Sequence, residues 1–226
     1  MRMADKTAVL VKGVSELGQA AAEELLKEGA AAVILVDEEK KAGLAEALTG
    51  KYPQRVFFVA ADTGDILEME KAARQIEDTF GKMDALINLQ DEQSTGGCME
   101  ISEEEWSRVL KANLSELYYS AHSFLPGMKK RRGGRVVILT SMAGRCAGDY
   151  DIAYGAAKTG AMGFTRGLAM EVREYGITVN SIAAGDLRDA SVKNAVVHAI
   201  LYLASDEAPW TTGDCMDVNG GAFMQN

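Results

Sequence analysis

Tyr154 and Lys158 stand four residues apart in the segment Y-G-A-A-K. Residues i and i+4 share one face of a helix, so the ammonium can sit beside the phenol and favour the phenolate. That would turn a phenol with an ordinary pKa near 10 into a usable acid/base. Ser141 lies 13 residues before the tyrosine and closes the apolar run Arg135 to Thr140, R-V-V-I-L-T. The run reads as a buried strand, which places the serine hydroxyl at a strand's carboxyl end, where open α/β sheets bind ligands. There it can donate a hydrogen bond to a carbonyl oxygen. Asn113 stands a further 28 residues upstream of Ser141.

The elements that must position these groups follow a regular alternation. Short β-branched runs at Thr7 to Val11, Ala32 to Val36, Arg55 to Val59, Ala85 to Leu89, Arg135 to Thr140, Thr178 to Ala183 and Cys215 to Val218 read as strands. Amphipathic helical patterns lie near Gly18 to Lys27, Lys40 to Leu48, Leu67 to Phe80, Glu103 to Lys130, Ala153 to Tyr175 and Ala195 to Ala204. Such alternation predicts an α/β fold in which a parallel sheet is covered by helices on both faces. Ser102 followed by Glu105 reads as a capping box opening the long fourth helix. With only 3 prolines and no low-complexity tract, residues 1–226 are expected to form a single domain without linker or repeat.

At this point the chain resembles the short-chain dehydrogenase/reductase family, close to its 3-oxoacyl-carrier-protein reductase type, from Lys6 to about Phe223. The resemblance is dense in K-E-G-A (27 to 30), G-R-V-V-I-L-T-S-M-A-G-R (134 to 145), A-Y-G-A-A-K (153 to 158), G-I-T-V-N-S-I (176 to 182) and L-A-S-D-E-A (203 to 208). It implies a Rossmann-type doubly wound sheet of about seven strands. It also implies NAD-linked hydride transfer between a secondary alcohol and a ketone. By resemblance Tyr154 is the general acid/base, Lys158 its activator and a ribose contact, Ser141 the carbonyl orienter, and Asn113 the anchor of a water relay to the lysine. Gly13, Ser15, Gly18, Asp37, Asp62 and Asn88 fall at the family's cofactor-binding positions.

Several of those positions depart from the family pattern. The family's first turn, T-G-x-x-x-G-x-G, lets backbone amides approach a pyrophosphate at a helix N-terminus. Here the segment is Lys12-Gly13-Val14-Ser15-Glu16-Leu17-Gly18, one residue short, with Glu16 or Leu17 where the middle glycine belongs. A carboxylate ~5 Å from a phosphate charge costs about 1 kcal/mol in water and about 3 kcal/mol at an effective dielectric of 20, an effect that Lys12 would partly offset. Asp37 is placed to bind adenosine ribose hydroxyls and to favour NAD over NADP, or else to start a helix in D-E-E-K-K. Asp62 matches the family's adenine-contacting acid. The family's N-N-A-G reads Asn88-Leu89-Gln90-Asp91, which exchanges a glycine for a carboxylate. The family's nicotinamide-holding threonine is replaced at about Asp189, and the segment from Gly185 to Ser205 is far shorter than the family's substrate lid. This leaves an open pocket, a cover from another chain, or residues absent from the sequence.

Composition sets the outer bounds. A chain of 226 residues with 47% hydrophobic content is large enough to bury one core. A net charge of −9 argues against nucleic acid or an anionic membrane surface as partner. Cys98, Cys146 and Cys215 have neither disulfide-framework nor zinc-site spacing, no metal site is expected, and a reducing cytoplasm fits. No apolar run approaches the ~18 residues of a membrane span. The helices carrying Asn113 and Tyr154 form a dimer interface in the resembled family, and Leu117, Tyr118, Phe124, Met162, Phe164, Leu168 and Met170 are expected on their outer faces. The resulting expectation is an oligomeric, NAD-linked oxidoreductase component that acts on a small molecule. Its own dinucleotide site is impaired, and it pairs with itself or with a catalytic relative. The alternative is a self-sufficient NAD(H)-dependent enzyme using Asn113, Ser141, Tyr154 and Lys158.

Overall fold

The computed structural model describes residues 1–94, 96–146 and 151–224. Seven parallel strands form one sheet: β1 (Thr7–Val11), β2 (Ala32–Asp37), β3 (Val56–Ala60), β4 (Ala85–Asn88), β5 (Gly134–Ser141), β6 (Ile177–Ala184) and β7 (Cys215–Val218). Their spatial order is β3-β2-β1-β4-β5-β6-β7. The order reverses between β1 and β4, and Val11 lies opposite Asn88 at that junction. Open α/β sheets bind ligands beyond the strand carboxyl ends at such a switch point.

Alternation along the strands decides which helix each residue meets. Ala8 and Leu10 of β1, Val33 and Leu35 of β2, and Val137 and Leu139 of β5 pack into one core layer. That layer includes residues of α1 (Glu16–Lys27), α2 (Ala42–Lys51) and α7 (Ala190–Ala204). Val9, Val11, Ile34, Val36, Val136 and Ile138 face the opposite layer with α3 (Ile66–Phe80), α5 (Glu116–Arg131) and α6 (Ile152–Val172). Both faces are covered, which is why these strands read as continuous apolar runs.

Two helix expectations are corrected. The stretch from Glu103 to Lys130 is not one helix: α4 (Glu103–Leu110) and α5 are separated by a π turn at Lys111–Ser115. Ser102 does cap α4, its hydroxyl accepting from the Glu105 amide at 3.1 Å. The helix expected from Ala195 starts instead at Ala190, where the Asp189 carboxylate accepts from the Ser191 amide at 2.8 Å. Asp189 is therefore a helix cap.

The apolar outer stripe is also corrected in part. Leu117, Phe124, Met162 and Leu168 are all buried within this chain, and Leu117, Phe124 and Leu168 belong to the α3/α5/α6 layer. Tyr118 and Met170 stay exposed, with Phe164 half-buried beside them. No helix among the described residues is long and apolar enough to cross a membrane.

The turn from β1 into α1 is packed backbone to backbone. A methyl group on Gly18 would lie 2.3 Å from the Gly13 carbonyl oxygen, and one on Gly13 would lie 2.7 Å from that of Leu10. Gly163, on the exposed side of α6, has open space instead. Gly18→Ala is expected to cost about 1–3 kcal/mol, since backbone must move to admit the methyl group. Gly163→Ala should be neutral or stabilising by up to about 1 kcal/mol. Thermal denaturation of both variants checks the pair, and an unchanged midpoint for Gly18→Ala would contradict the packing described.

Candidate active site

The cleft at the switch point has a volume of about 740 Å³ and runs between the β1–α1 turn, the β4 loop and the segment after β6. Lys12, Glu16, Glu38, Gln90, Asp91 and Lys193 are among the residues lining it. Beyond β6 the connection to α7 is only the short stretch 185–189. It is stiffened by the Arg188 guanidinium on both oxygens of Asp186, at 2.7 and 2.8 Å. No helix intervenes there to cover the cleft.

α6 brings Tyr154 and Lys158 to one end of this cleft. The two share a helix face, with the ammonium 5.3 Å from the phenol ring centre. Lys158 is completely buried. Its Nζ donates to the Gln90 carbonyl at 2.5 Å and to the Leu139 carbonyl at 3.3 Å, and it pairs with Asp91 Oδ1 at 3.3 Å. Tyr154 Oη donates to the same Asp91 oxygen at 2.6 Å. Burial pushes the Lys158 amine below its ordinary value, and the neighbouring Asp91 carboxylate opposes that shift. Tyr154 and Lys158 are thus side by side, with a third member, Asp91, that the sequence marked as a carboxylate in place of a glycine.

The other two chemistry-bearing residues are held close to the backbone. Ser141, buried at the end of β5, accepts from the Ala143 amide at 3.2 Å and caps a 3-10 turn at Met142–Gly144. Asn113 sits in the π turn and clamps Glu92 twice: its Oδ1 accepts from the Glu92 amide at 3.1 Å, and its Nδ2 donates to the Glu92 carbonyl at 2.7 Å. Nδ2 also reaches the Val109 carbonyl at 3.1 Å. A π turn inside a helix often marks a functional position, and here it turns Asn113 onto the β4 loop.

At the β1–α1 turn, Ser15 caps α1 by accepting from the Gly18 amide at 3.1 Å. Asp37 is fully buried, not turned to the cleft. It accepts from the Val14 amide at 3.3 Å and the Glu38 amide at 3.0 Å, and pairs with Lys41 at 3.0 Å. Of the two roles expected for Asp37, ribose contact and helix start, its partners here are those of a carboxylate held inside the chain, and the carboxylate lining the cleft there is Glu38. Lys12 is drawn to Glu38 at 3.3 Å and to Glu116 at 3.7 Å. Glu16 pairs across the cleft mouth with Lys193 at 2.5 Å. Asp62 is exposed in a shallow hollow with Glu38, Glu39, Glu68 and Lys40, and one of its oxygens accepts from the Gly64 amide at 2.8 Å. Asn88 accepts from the Ser120 hydroxyl at 2.7 Å, while its Nδ2 and both amide atoms of Gln90 are buried without a hydrogen-bond partner.

Comparison with known proteins fixes the family. The model of the short chain dehydrogenases matches residues 6–199. The chain belongs to the short-chain dehydrogenase family. It is 29% identical to the 3-oxoacyl-[acyl-carrier-protein] reductase of Vibrio harveyi, covering 99% of this chain and 100% of that protein. For the Haemophilus influenzae protein of the same name the identity is 30%, covering 98% and 100%. A Burkholderia xenovorans structure assigned to the short-chain dehydrogenases/reductases superposes with a TM-score of 0.89 at 27% identity, covering 97% of each chain. Levodione reductase shares the fold with a TM-score of 0.88. The match to the Vibrio harveyi enzyme spans 246 positions against 226 residues here, so some of that enzyme's positions have no counterpart in this chain.

Glu116 lies just behind the cleft wall, 3.7 Å from the cleft residue Lys12. Its buried carboxyl accepts from the Thr63 hydroxyl at 2.7 Å. Burial pushes its pKa up, and Lys12 and Thr63 only partly oppose that. A raised carboxyl pKa means that the folded state keeps a proton the unfolded state has released. The stabilising share of Glu116 is therefore complete below the ordinary carboxylate range and is lost as pH rises towards the folded value. Glu116→Gln should remove that loss and be the more stable chain at neutral pH, by about 1.4 kcal/mol for each pKa unit of elevation. Urea denaturation at acidic and neutral pH measures it, and parallel stability curves for the two chains would contradict the burial argument.

Proposed function

We propose that this chain is a component of an NAD-linked oxidoreductase that interconverts a secondary alcohol and a ketone, and that its own dinucleotide site is impaired. The similarity to 3-oxoacyl-[acyl-carrier-protein] reductases supports the reaction class and favours a ketone substrate. The observation that carries the impairment is the Val14 amide donating to the buried Asp37 carboxylate. A phosphate received at this turn needs free amides at a helix N-terminus and no anion among them. Here Asp37 lies under the turn, Ser15 takes the Gly18 amide, and α1 begins with Glu16.

The residues present do not fit a dinucleotide at its other contacts either. The adenosine end offers Glu38, Glu39, Asp62 and Glu68 against a single cation among the described residues, Lys40, which is paired with Glu38, and the far end holds Asp91 on Tyr154 and Lys158. The unpaired amides of Gln90 and Asn88 are the features that favour a bound polar group, and they keep the self-sufficient enzyme as the second reading. In either case one domain carries the site, and α5 and α6 are the surface for a second copy or a related subunit. Tyr118, Phe164 and Met170 supply the apolar contact there, and Gly163 and Gly167 leave room for close approach.

Calorimetric titration with NAD⁺ and NADH tests the first reading. Binding weaker than ~100 μM is expected, whereas a low-micromolar isotherm with normal turnover would establish the self-sufficient enzyme. Native mass spectrometry should show a dimer or tetramer, and co-expression with neighbouring genes should recover a mixed complex with a lid-bearing relative. A homotetramer that turns over alone and loses activity in Tyr154→Phe would overturn the subunit role.

A further inference from the structure

The four residues after Leu89 are held at successive points. Lys158 takes the Gln90 carbonyl at 2.5 Å, and the Asp91 carboxylate receives both Tyr154 and Lys158. Asn113 holds the Glu92 backbone from both sides, and Arg108 bonds the Glu92 side chain at 2.5 Å and the Gln93 carbonyl at 3.3 Å. A surface carboxylate on a loose loop would meet these groups only in passing. This one is delivered to them by a backbone fixed on either side, and a quarter of its side chain remains open to the cleft.

We propose that Asp91 is a built-in ligand of the Tyr154–Lys158 pair, one that keeps the phenol in its protonated, hydrogen-bond-donating form. A single oxygen, Oδ1, accepts from both groups, so it fills the position from which an incoming hydroxyl would bridge phenol and ammonium. An ionised carboxylate is a stronger acceptor than a neutral hydroxyl, and its charge opposes the loss of the phenol proton. The lysine that would favour the phenolate is at the same time partly neutralised by the same oxygen. Tyr154 therefore acts as an acid/base only when Asp91 moves off it, and a ligand binding at this end must first displace a charged competitor tethered to the site. This rests on the proposed impairment of the cofactor cleft, and it assigns the nicotinamide end of that impairment to one residue.

The test compares the parent chain, Asp91→Asn and Asp91→Gly, each prepared both with Tyr154 and with Tyr154→Phe, so that the Tyr154 contribution is obtained by difference. Near-ultraviolet absorbance followed through alkaline pH reads phenol ionisation without any cofactor, and circular dichroism confirms that each variant is folded. Tyr154 is expected to ionise at lower pH in Asp91→Asn than in the parent. Unchanged ionisation overturns the proposal whatever the binding data show. Calorimetry with NADH on the same chains separates it from the reading it rests on. If ionisation shifts and Asp91→Gly binds NADH at least ~10-fold more tightly than the parent, the proposal holds and Asp91 is the barrier at this end. If ionisation shifts without a gain in binding, the proposal still holds and the barrier lies at the β1–α1 turn. Low-micromolar binding by the parent overturns the impaired-site reading alone, and the ionisation difference still decides the role of Asp91.

Discussion

A lysine ammonium with no exposed surface is the constraint around which this site is built. Burying it costs several kcal/mol unless its three donors find acceptors. Lys158 finds them on Gln90, Leu139 and Asp91, at the carboxyl ends of β4 and β5. Those contacts tie α6 to the sheet and, one helical turn earlier, set the position of Tyr154. They also fix the loop after β4, which Asn113 secures from the opposite side through the π turn. Loosening the lysine would release the tyrosine, the loop and the helix junction together.

The four residues that the resemblance marks for chemistry all have partners within the chain. Ser141 caps a turn, Asn113 clamps Glu92, and Tyr154 and Lys158 share an internal carboxylate. Conformational order and chemistry compete for the same polar groups, and local rules tend to be broken where function once required it. In this chain the groups satisfy those local rules within the protein. Three acidic residues lining the cleft point the same way, because each is matched by a lysine or arginine of the same chain: Glu16 by Lys193, Glu38 by Lys12 and Asp186 by Arg188.

The strands were legible because burial on two faces writes them as short continuous apolar runs, and Cys215–Val218 and Thr7–Val11 match their expected limits. The burial of Asp37 was legible too. The residue continues the face of Val33 and Leu35, so strict alternation directs it under α1 and away from the cleft. Four residues of the outer stripe turned inward for a related reason. Leu117, Ala121, Phe124 and Met128 recur at helical spacing and form the sheet-facing side of α5, leaving Tyr118 on the other. The π turn at Lys111–Ser115 could not be read locally, since the segment K-A-N-L-S contains no breaker and the turn is tied to a contact between Asn113 and Glu92, 21 residues away. Asp91 stood out as a departure, but only tertiary placement joins it to Tyr154.

The central claim is that a carboxylate of the chain itself occupies the Tyr154–Lys158 pair in a cleft that does not fit a dinucleotide. A crystal structure of the chain grown with a large excess of NADH tests it most directly. The account predicts Asp91 bonded to both Tyr154 and Lys158, Asp37 beneath the β1–α1 turn, and no ordered dinucleotide in the cleft. Clear density for the cofactor with a ribose hydroxyl on Lys158 and Asp91 turned to solvent would contradict it.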